Sequence, residues 1–324
     1  MSAGTATRDV APRSPAEVRR GEGLVRATLR DRQVRVGLAV TLAITLVALA
    51  GPYLAPHAPE ALTGTAYAAP GSSGLLGTDY LGHDVLSRVL AGGRSVVTMT
   101  VAAASLALVA GTVLGTAAAF SGALGASRAG RAPDRAVVWL ADVLLAFPNI
   151  VLVLLVVSMF GRERRLMVLT VALTLLPGTV RLARGAALGV ITQEYVQAAR
   201  LIGYPRRLLL LREVLPNIAA PLLVHFGTML TWAVELLAGL SFLGYGVTAP
   251  AADWGLMINE NRAGLQLQPW GVLAPVLLIA VFALGTNAMA EGAARATGQT
   301  RRPERAPWRR PRRTNGQNRK EGTP

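Results

Sequence analysis

Six long stretches of this sequence are nearly free of charge, and a chain divided in this way has few ways to fold. Val36–Pro56 holds no Asp, Glu, Lys, Arg or His. Val96–Arg128 is clean until its final Arg, and Ala136–Phe160 holds only Asp142. Leu166–Val180, Val214–Val234 and Ala263–Ala290 hold no Asp, Glu, Lys or Arg. A helix rises about 1.5 Å per residue, so ~20 residues cross a hydrocarbon core of roughly 30 Å. Inside that core every backbone N–H and C=O must be satisfied within the segment, which a helix does. The expected fold is an all-α polytopic membrane protein with six transmembrane helices. A soluble all-α protein would seldom carry so many clean runs of this length. The fourth run has only 15 residues. Its span therefore needs Arg181 and Arg184 at one end, snorkelling to the headgroups.

The net charge of +15 would suit a nucleic-acid partner, but its placement points to a membrane. With the N-terminus in the cytoplasm and six spans threaded, 27 of the 33 basic residues fall inside and 6 outside. That asymmetry obeys the positive-inside rule and sets an N-in/C-in topology. One loop dissents: "GRERR", Gly161–Arg165, puts three Arg outside. The first apolar run has anchor length, and "LAPHAPEA" lacks a small-x-small cleavage site, so it reads as an uncleaved span rather than a signal peptide. Three regions follow: a basic cytoplasmic segment 1–35, a six-span body 36–292, and a Pro/Arg-rich tail 293–324. The tail is expected to be disordered, to orient the chain and to attract anionic membrane lipid.

Several chemistries are excluded. The chain has no cysteine and a single lysine, Lys320. Without a Gly-Lys-Ser/Thr triplet there is no P-loop, so no ATP site of that kind. No HExxH occurs, and no Ser, His and Asp gather on one loop. His225, on the fifth run, has no second His or Cys nearby. Asp79, His83 and Asp84 cluster in a Gly-rich loop, where capping of turns explains the carboxylates better than a metal. Neither a catalytic residue nor a metal ligand is assigned.

Between the fourth and fifth runs lies "EYVQAARLIGYPRRLLLLREVLPN", Glu194–Asn217, with six ionic side chains. The topology puts it in the cytoplasm. Tyr195, Ala198, Ala199 and Ile202 fall at i, i+3, i+4 and i+7, one face of a helix centred on two alanines. Glu194, Gln197 and Arg200 take the other side. Gly203 can end this helix in a left-handed conformation. Pro205 suits the start of a second short helix, begun by Arg206 and Arg207. Pro216, after Leu215, starts the fifth span. A small-residue face with an apolar rim fits another protein's groove. An interfacial helix lying on the bilayer fits the same pattern.

"QAARLIG", nine residues, then "EVLP" resembles the cytoplasmic EAA loop of ABC importer permeases. Ala198, Ala199, Gly203, Leu215 and Pro216 match it in type and spacing. Gln197 stands where the family usually has Glu, and Glu213 where an apolar residue or His is common. "LLGTDYLGHDVLSRVLAGGRSVV", Leu75–Val97, resembles the segment after the first span in permeases for dipeptides, oligopeptides and nickel. "SFLGYGVTAPAADWGLMI", Ser241–Ile258, and "DVLLAFPNIVLVLLV" are similar to the same subfamily's loop after span 5 and its third span. The likeness covers about 36–292; the subfamily's usual Gly-Asp-Gly-Leu-Arg ending is replaced by Ala290-Glu291-Gly292-Ala293-Ala294-Arg295.

The resemblance implies a type I ABC importer permease fold in the inner membrane. It implies a homologous second permease subunit, two ABC ATPase subunits that hold ATP and Mg, and an extracytoplasmic solute-binding protein. The chain itself would bind no cofactor. The segment around 190–216 would be the ATPase-coupling loop, carried by Glu194, Tyr195, Gln197, Ala198, Ala199, Arg200, Ile202, Gly203, Arg206, Leu215 and Pro216. Peptides or nickel complexes would be the cargo. An ion-gradient-driven secondary transporter is the alternative; it would need inverted repeats and midplane carboxylates, and the sequence offers no repeat and only Asp142 and Glu235. A membrane-anchored enzyme would need the chemistry that is missing. Asp142 lies about 10 Å beyond Arg135 at 1.5 Å per residue. It should face the bundle interior and pair with Arg181 or Arg184, as a static contact or as a gate. Glu235 should lie near the outer face, on the path or in a polar contact. Pro148 and Pro177 should kink their spans.

Overall fold

The computed structural model describes residues 31–124 and 131–296. The basic segment before Asp31, Arg128 and the tail beyond Ala296 lie outside the described residues. The architecture is a bundle of ten helices with no strand among the described residues, only two isolated bridges in the loop before the second helix.

Helix α1 (Arg32–Leu54) begins where the Asp31 carboxylate accepts the N–H groups of Gln33 and Val34. The helical body thus starts a few residues before the 36 expected from charge alone. α1 lies against the last helix, α10 (Trp270–Ala296), through glycines. A Cβ on Gly37 would stand 2.5 Å from the Met289 nitrogen and 2.7 Å from the Gly285 oxygen. Small residues let helix backbones approach closely where lipid gives no hydrophobic drive. α10 runs to Ala296, four residues past the expected edge of the body.

α2 (Val85–Leu124) and α5 (Arg164–Ile191) form the centre. Ala103, Ala104 and Ala107 of α2 are buried against Met167, Val171 and Leu175 of α5 and Met229, Ala233 and Leu237 of α8 (Leu215–Phe242). Gly111 and Gly115 face Thr179, Val180 and Ala183 at contact that leaves no room for a Cβ. α5 is longer than the 15 clean residues suggested, and its Arg181 and Arg184 are each ion-paired to an acid of α3 (Ala132–Leu145).

The third apolar run is two helices, not one. α3 and α4 (Asn149–Phe160) meet at 87° across Ala146–Pro148. Proline has no N–H and forces the preceding residue out of the α region, so the ladder ends there. Pro177 lacks that effect: it is buried in an unbroken α5. By length and composition five helical stretches can cross a membrane, and a sixth if the bent α3–α4 pair is one broken span.

After α5 come the short α6 (Glu194–Leu201) and α7 (Arg206–Leu208). A π-helical turn, Leu209–Val214, follows and leads into α8. No break separates Arg206 from Phe242. The expected separate second helix is therefore the first turns of the span itself. Pro216 explains the wide turn: a proline inside a helix lacks its N–H and clashes with the carbonyl four residues back. The Leu215 N–H bonds instead to the Leu210 carbonyl, five residues back. α9 (Trp254–Asn261) caps the opposite end.

The bundle thus has two unlike ends. Gly51, late in α1, meets Leu90 at the start of α2, and Val34, early in α1, meets Gly292 late in α10. The starts of α1 and α8 and the ends of α2, α5 and α10 therefore share one end with α6. The starts of α2 and α10 share the other with α9.

Candidate functional site

At the α6 end the helix Glu194–Leu201 is held by one plug. Val196 is 3% exposed, packed where Leu209, Val214 and Ile218 are also buried. Glu194 sits in the first turn and Arg200 in the last, signs that suit the helix dipole. The Gly203 N–H donates to the Arg200 carbonyl at 3.0 Å and the Tyr204 N–H to the Ala199 carbonyl at 3.2 Å, a Schellman closure. Gly203 stands at φ +91°, and nothing lies within 4 Å of where a Cβ would be. Glycine is needed there for the backbone, not for space.

Of the face the spacing suggested, Tyr195, Ala198 and Ile202 are exposed and Ala199 is half-buried. Gln197 folds back, its Nε2 donating to the Ile191 carbonyl at 2.9 Å, and so satisfies the end of α5 rather than facing solvent. Tyr195 leans toward α8, where the Asn217 Nδ2 donates to its hydroxyl at 3.3 Å. Burial, and then the nearby Glu213 carboxylate, push the phenol above its usual pKa. The exposed apolar surface is Tyr195, Ala198, Leu201 at 89% and Ile202 at 78%, with Tyr204 beside them. Leu201 was missed because the wheel was centred on Tyr195. Val196, the one β-branched residue of the helix and its one buried residue, is the signal that turns the wheel by about one position. Arg206 and Pro216 are exposed and Leu215 is half-buried.

Two ion pairs tie α3 to α5. The Arg184 Nε and Nη2 bind the two oxygens of Asp134 at 2.5 and 2.8 Å, a bidentate pair. Gly122 of α2 leaves room for that carboxylate. Asp142 is bonded to Arg181, as the charges suggested, but both side chains are about half exposed in the single chain. Glu235 is exposed on α8, one turn from the exposed Trp232, with no ion pair among the described residues. His225 Nε2 lies 3.2 Å from the Thr179 hydroxyl.

At the α9 end the two loop segments distant in sequence lock together. The buried Asp79 carboxylate accepts the N–H groups of Leu81 and His83, both at 2.9 Å, and contacts His83 Nδ1 at 2.9 Å and Arg88. Burial alone would raise this carboxyl; the His83 and Arg88 hydrogen bonds outweigh it and hold it below the usual range. Arg88 is 2% exposed and also faces Glu260 at 3.1 Å. Tyr80 donates its hydroxyl to Glu260 and its N–H to Asn261. Asp84 caps α2 by accepting from the Ser87 N–H and hydroxyl. Trp254 donates its indole N–H to the Val89 carbonyl at 2.8 Å, over Gly93. The loop acids are thus occupied by backbone and arginine, as capping requires.

Helices of this length and composition, closed at one end by a polar lock and open at the other, define a multi-pass α-helical membrane protein. Comparison makes the class specific. Residues 111–298 match the family described as binding-protein-dependent transport system inner membrane component. The chain is 34% identical over 266 residues to a di/tripeptide transport system permease protein, DppC, of Pseudomonas aeruginosa, covering 79% of this chain and 84% of that protein. It is 32% identical over 270 residues to the dipeptide permease DppC of Haemophilus influenzae, 81% and 89% of the two chains. It is 34% identical over 223 residues to the glutathione permease GsiD of Pectobacterium atrosepticum, 69% and 71%. The chain belongs to the family of binding-protein-dependent inner-membrane transport components. It is an ABC importer permease, a non-catalytic membrane subunit.

Proposed function

We propose that this chain forms half of the translocation path of a peptide importer and is driven by ATPase subunits through the segment Glu194–Pro216. The observation that carries the reading is the α6 end: a short helix plugged by Val196, closed at Gly203, and presenting Ala198, Leu201 and Ile202 outward. Exposed apolar residues on a capped helix suit a groove in another subunit. The names of the relatives, di/tripeptide, dipeptide and glutathione permeases, favour a peptide cargo over a nickel complex. The α6 end faces the cytoplasm, with both termini, because that orientation keeps the basic residues inside. A homologous permease completes the path, two ATPases bind ATP and Mg below, and a solute-binding protein delivers cargo to the α9 end. This chain binds no cofactor.

Coupling requires that the segment dock differently in the two states of the ATPase pair. α6 moves with the ATPase, and the continuous helix from Arg206 to Phe242 carries that motion into the bundle. Co-purification of the assembled complex tests the reading. Gly203→Glu and Leu201→Asp are expected to lose the ATPase subunits and uptake while the permease pair stays inserted. Retention of ATPase and full uptake in both variants would refute it.

A further inference from the structure

Beside the coupling segment the bundle has an apolar groove of about 510 Å³ between the flank of α2 and the run Arg206–Leu222. Its walls are aliphatic: Val109 and Val113 of α2 are each about 60% exposed (62% and 60%), with Ala117 and Phe120 below them. The Thr116 hydroxyl on this wall donates to the Thr112 carbonyl of its own helix, so it asks nothing of an occupant. From Phe120 to Leu108 the groove runs about 18 Å at 1.5 Å per residue. That is the depth of one leaflet, roughly half of a 30 Å hydrocarbon core. At its mouth, on the α6 side, stand Arg206 and Arg207, both exposed and without an acidic partner among the described residues.

We infer that this groove holds one acyl chain of an anionic phospholipid, whose phosphate is gripped by Arg206 and Arg207. Arginine forks match phosphate oxygens, and headgroup phosphates lie at the depth where helices leave the core. The leaflet-length apolar wall with two arginines at one mouth suits an apolar chain that carries an anionic head. The π turn at Leu209–Val214 is part of the device, since it places Leu210 and Leu215 on the groove wall below the two arginines. Arg206 and Arg207 also lie in the proposed coupling segment Glu194–Pro216, but quenching reports lipid contact and not ATPase docking, so the failure of one reading leaves the other standing.

The chain has no cysteine, so Val113→Cys adds a single reporter thiol at an exposed position. The assembled importer carrying it is labelled with bimane and placed in nanodiscs containing phosphatidylglycerol or phosphatidylcholine with brominated acyl chains. Phosphatidylglycerol is expected to quench at a mole fraction about tenfold lower than phosphatidylcholine, since each arginine near the surface favours anionic lipid. Arg206→Ala with Arg207→Ala should bring the two lipids to parity. Ala117→Trp, which fills the groove, should reduce quenching by both. Equal quenching by both lipids in the otherwise unchanged complex would overturn the inference, because that is ordinary boundary lipid. Absence of quenching, with the Val113→Cys thiol cross-linking to another subunit, would overturn it in favour of a protein neighbour.

Discussion

The two ends of the bundle solve opposite problems. At the α9 end buried charges meet inside the chain, Asp79 with Arg88 and Arg88 with Glu260, and Asp253 accepts from the N–H groups of Gly255 and Leu256, while Asp84 Oδ1, Arg88 Nε and Asp253 Oδ2 are buried without a hydrogen bond. At the α6 end Leu201 and Ile202 point outward, and Arg206 and Arg207 have no acidic partner among the described residues. A buried polar network is high-stakes when incomplete and rigid when satisfied. The Arg88–Glu260 pair and the Trp254–Val89 hydrogen bond tie the start of α2 to α9. An open end with exposed Leu and Ile is what a subunit keeps for a neighbour. Stability belongs to one end and coupling to the other.

The sharpest way to break this division is at Asp79. Asp79→Asn leaves the Arg88 guanidinium buried beside Glu260 alone. Unpairing a buried charge costs several kcal/mol, and with Glu260 still present the loss should be about 3 kcal/mol. Thermal unfolding of the purified complex should show it as a large drop in Tm at neutral pH. The pH dependence has a definite sign. Asp79 titrates below its unfolded value, so its contribution is present above pH ~4 and is lost as pH falls toward the folded pKa. The Asp79→Asn variant should lose less Tm than the parent as pH falls below ~4.

Next in size is Gly93→Leu. The side chain would meet the Trp254 ring and Ala48, and overpacking of this kind costs about 1–3 kcal/mol. Trp254 fluorescence alongside Tm separates a displaced cap from a general loss of fold. Gly203→Ala is smaller. Space around it is open, so only the left-handed backbone is strained, for about 1 kcal/mol. Fraying confined to α6 by hydrogen exchange, with an unchanged Tm for the bundle, is the expected reading.

The smallest stability effect should come with the largest functional one. Leu201→Asp and Ile202→Asp are surface changes within about 0.5 kcal/mol. Uptake should nonetheless fall by about tenfold or more, as for a contact central to a docked interface. A loss of Tm equal to that of Gly93→Leu would show that α6 is part of the folded core, and the contrast between the ends would fail.

How much of this was legible can be judged from particular residues. The apolar runs showed the helices because lipid and a buried core both demand uninterrupted apolar length. Gly203 and Pro205 showed the turn because their backbone constraints are local. Pro148 and Pro177 are the same residue in similar surroundings, yet one breaks its helix by 87° and the other does not. Pro177 is buried within the 28-residue α5, whereas Pro148 stands between two short helices of 14 and 12 residues. Leu201 was invisible because a wheel shows that a face exists but not which side the body occupies. Val196 decided it by inserting.

The sequence by itself determined an all-helical membrane chain, the place and closure of the α6 segment, and the acids and arginines available to pair. Those are consequences of local backbone chemistry and of the cost of charge in lipid. Only the tertiary structure decided which charges met, that Gln197 turns inward, and that the Leu75–Val97 and Ser241–Ile258 segments close one end together. Such choices depend on distances between helices far apart in the chain, and no local rule of spacing contains them.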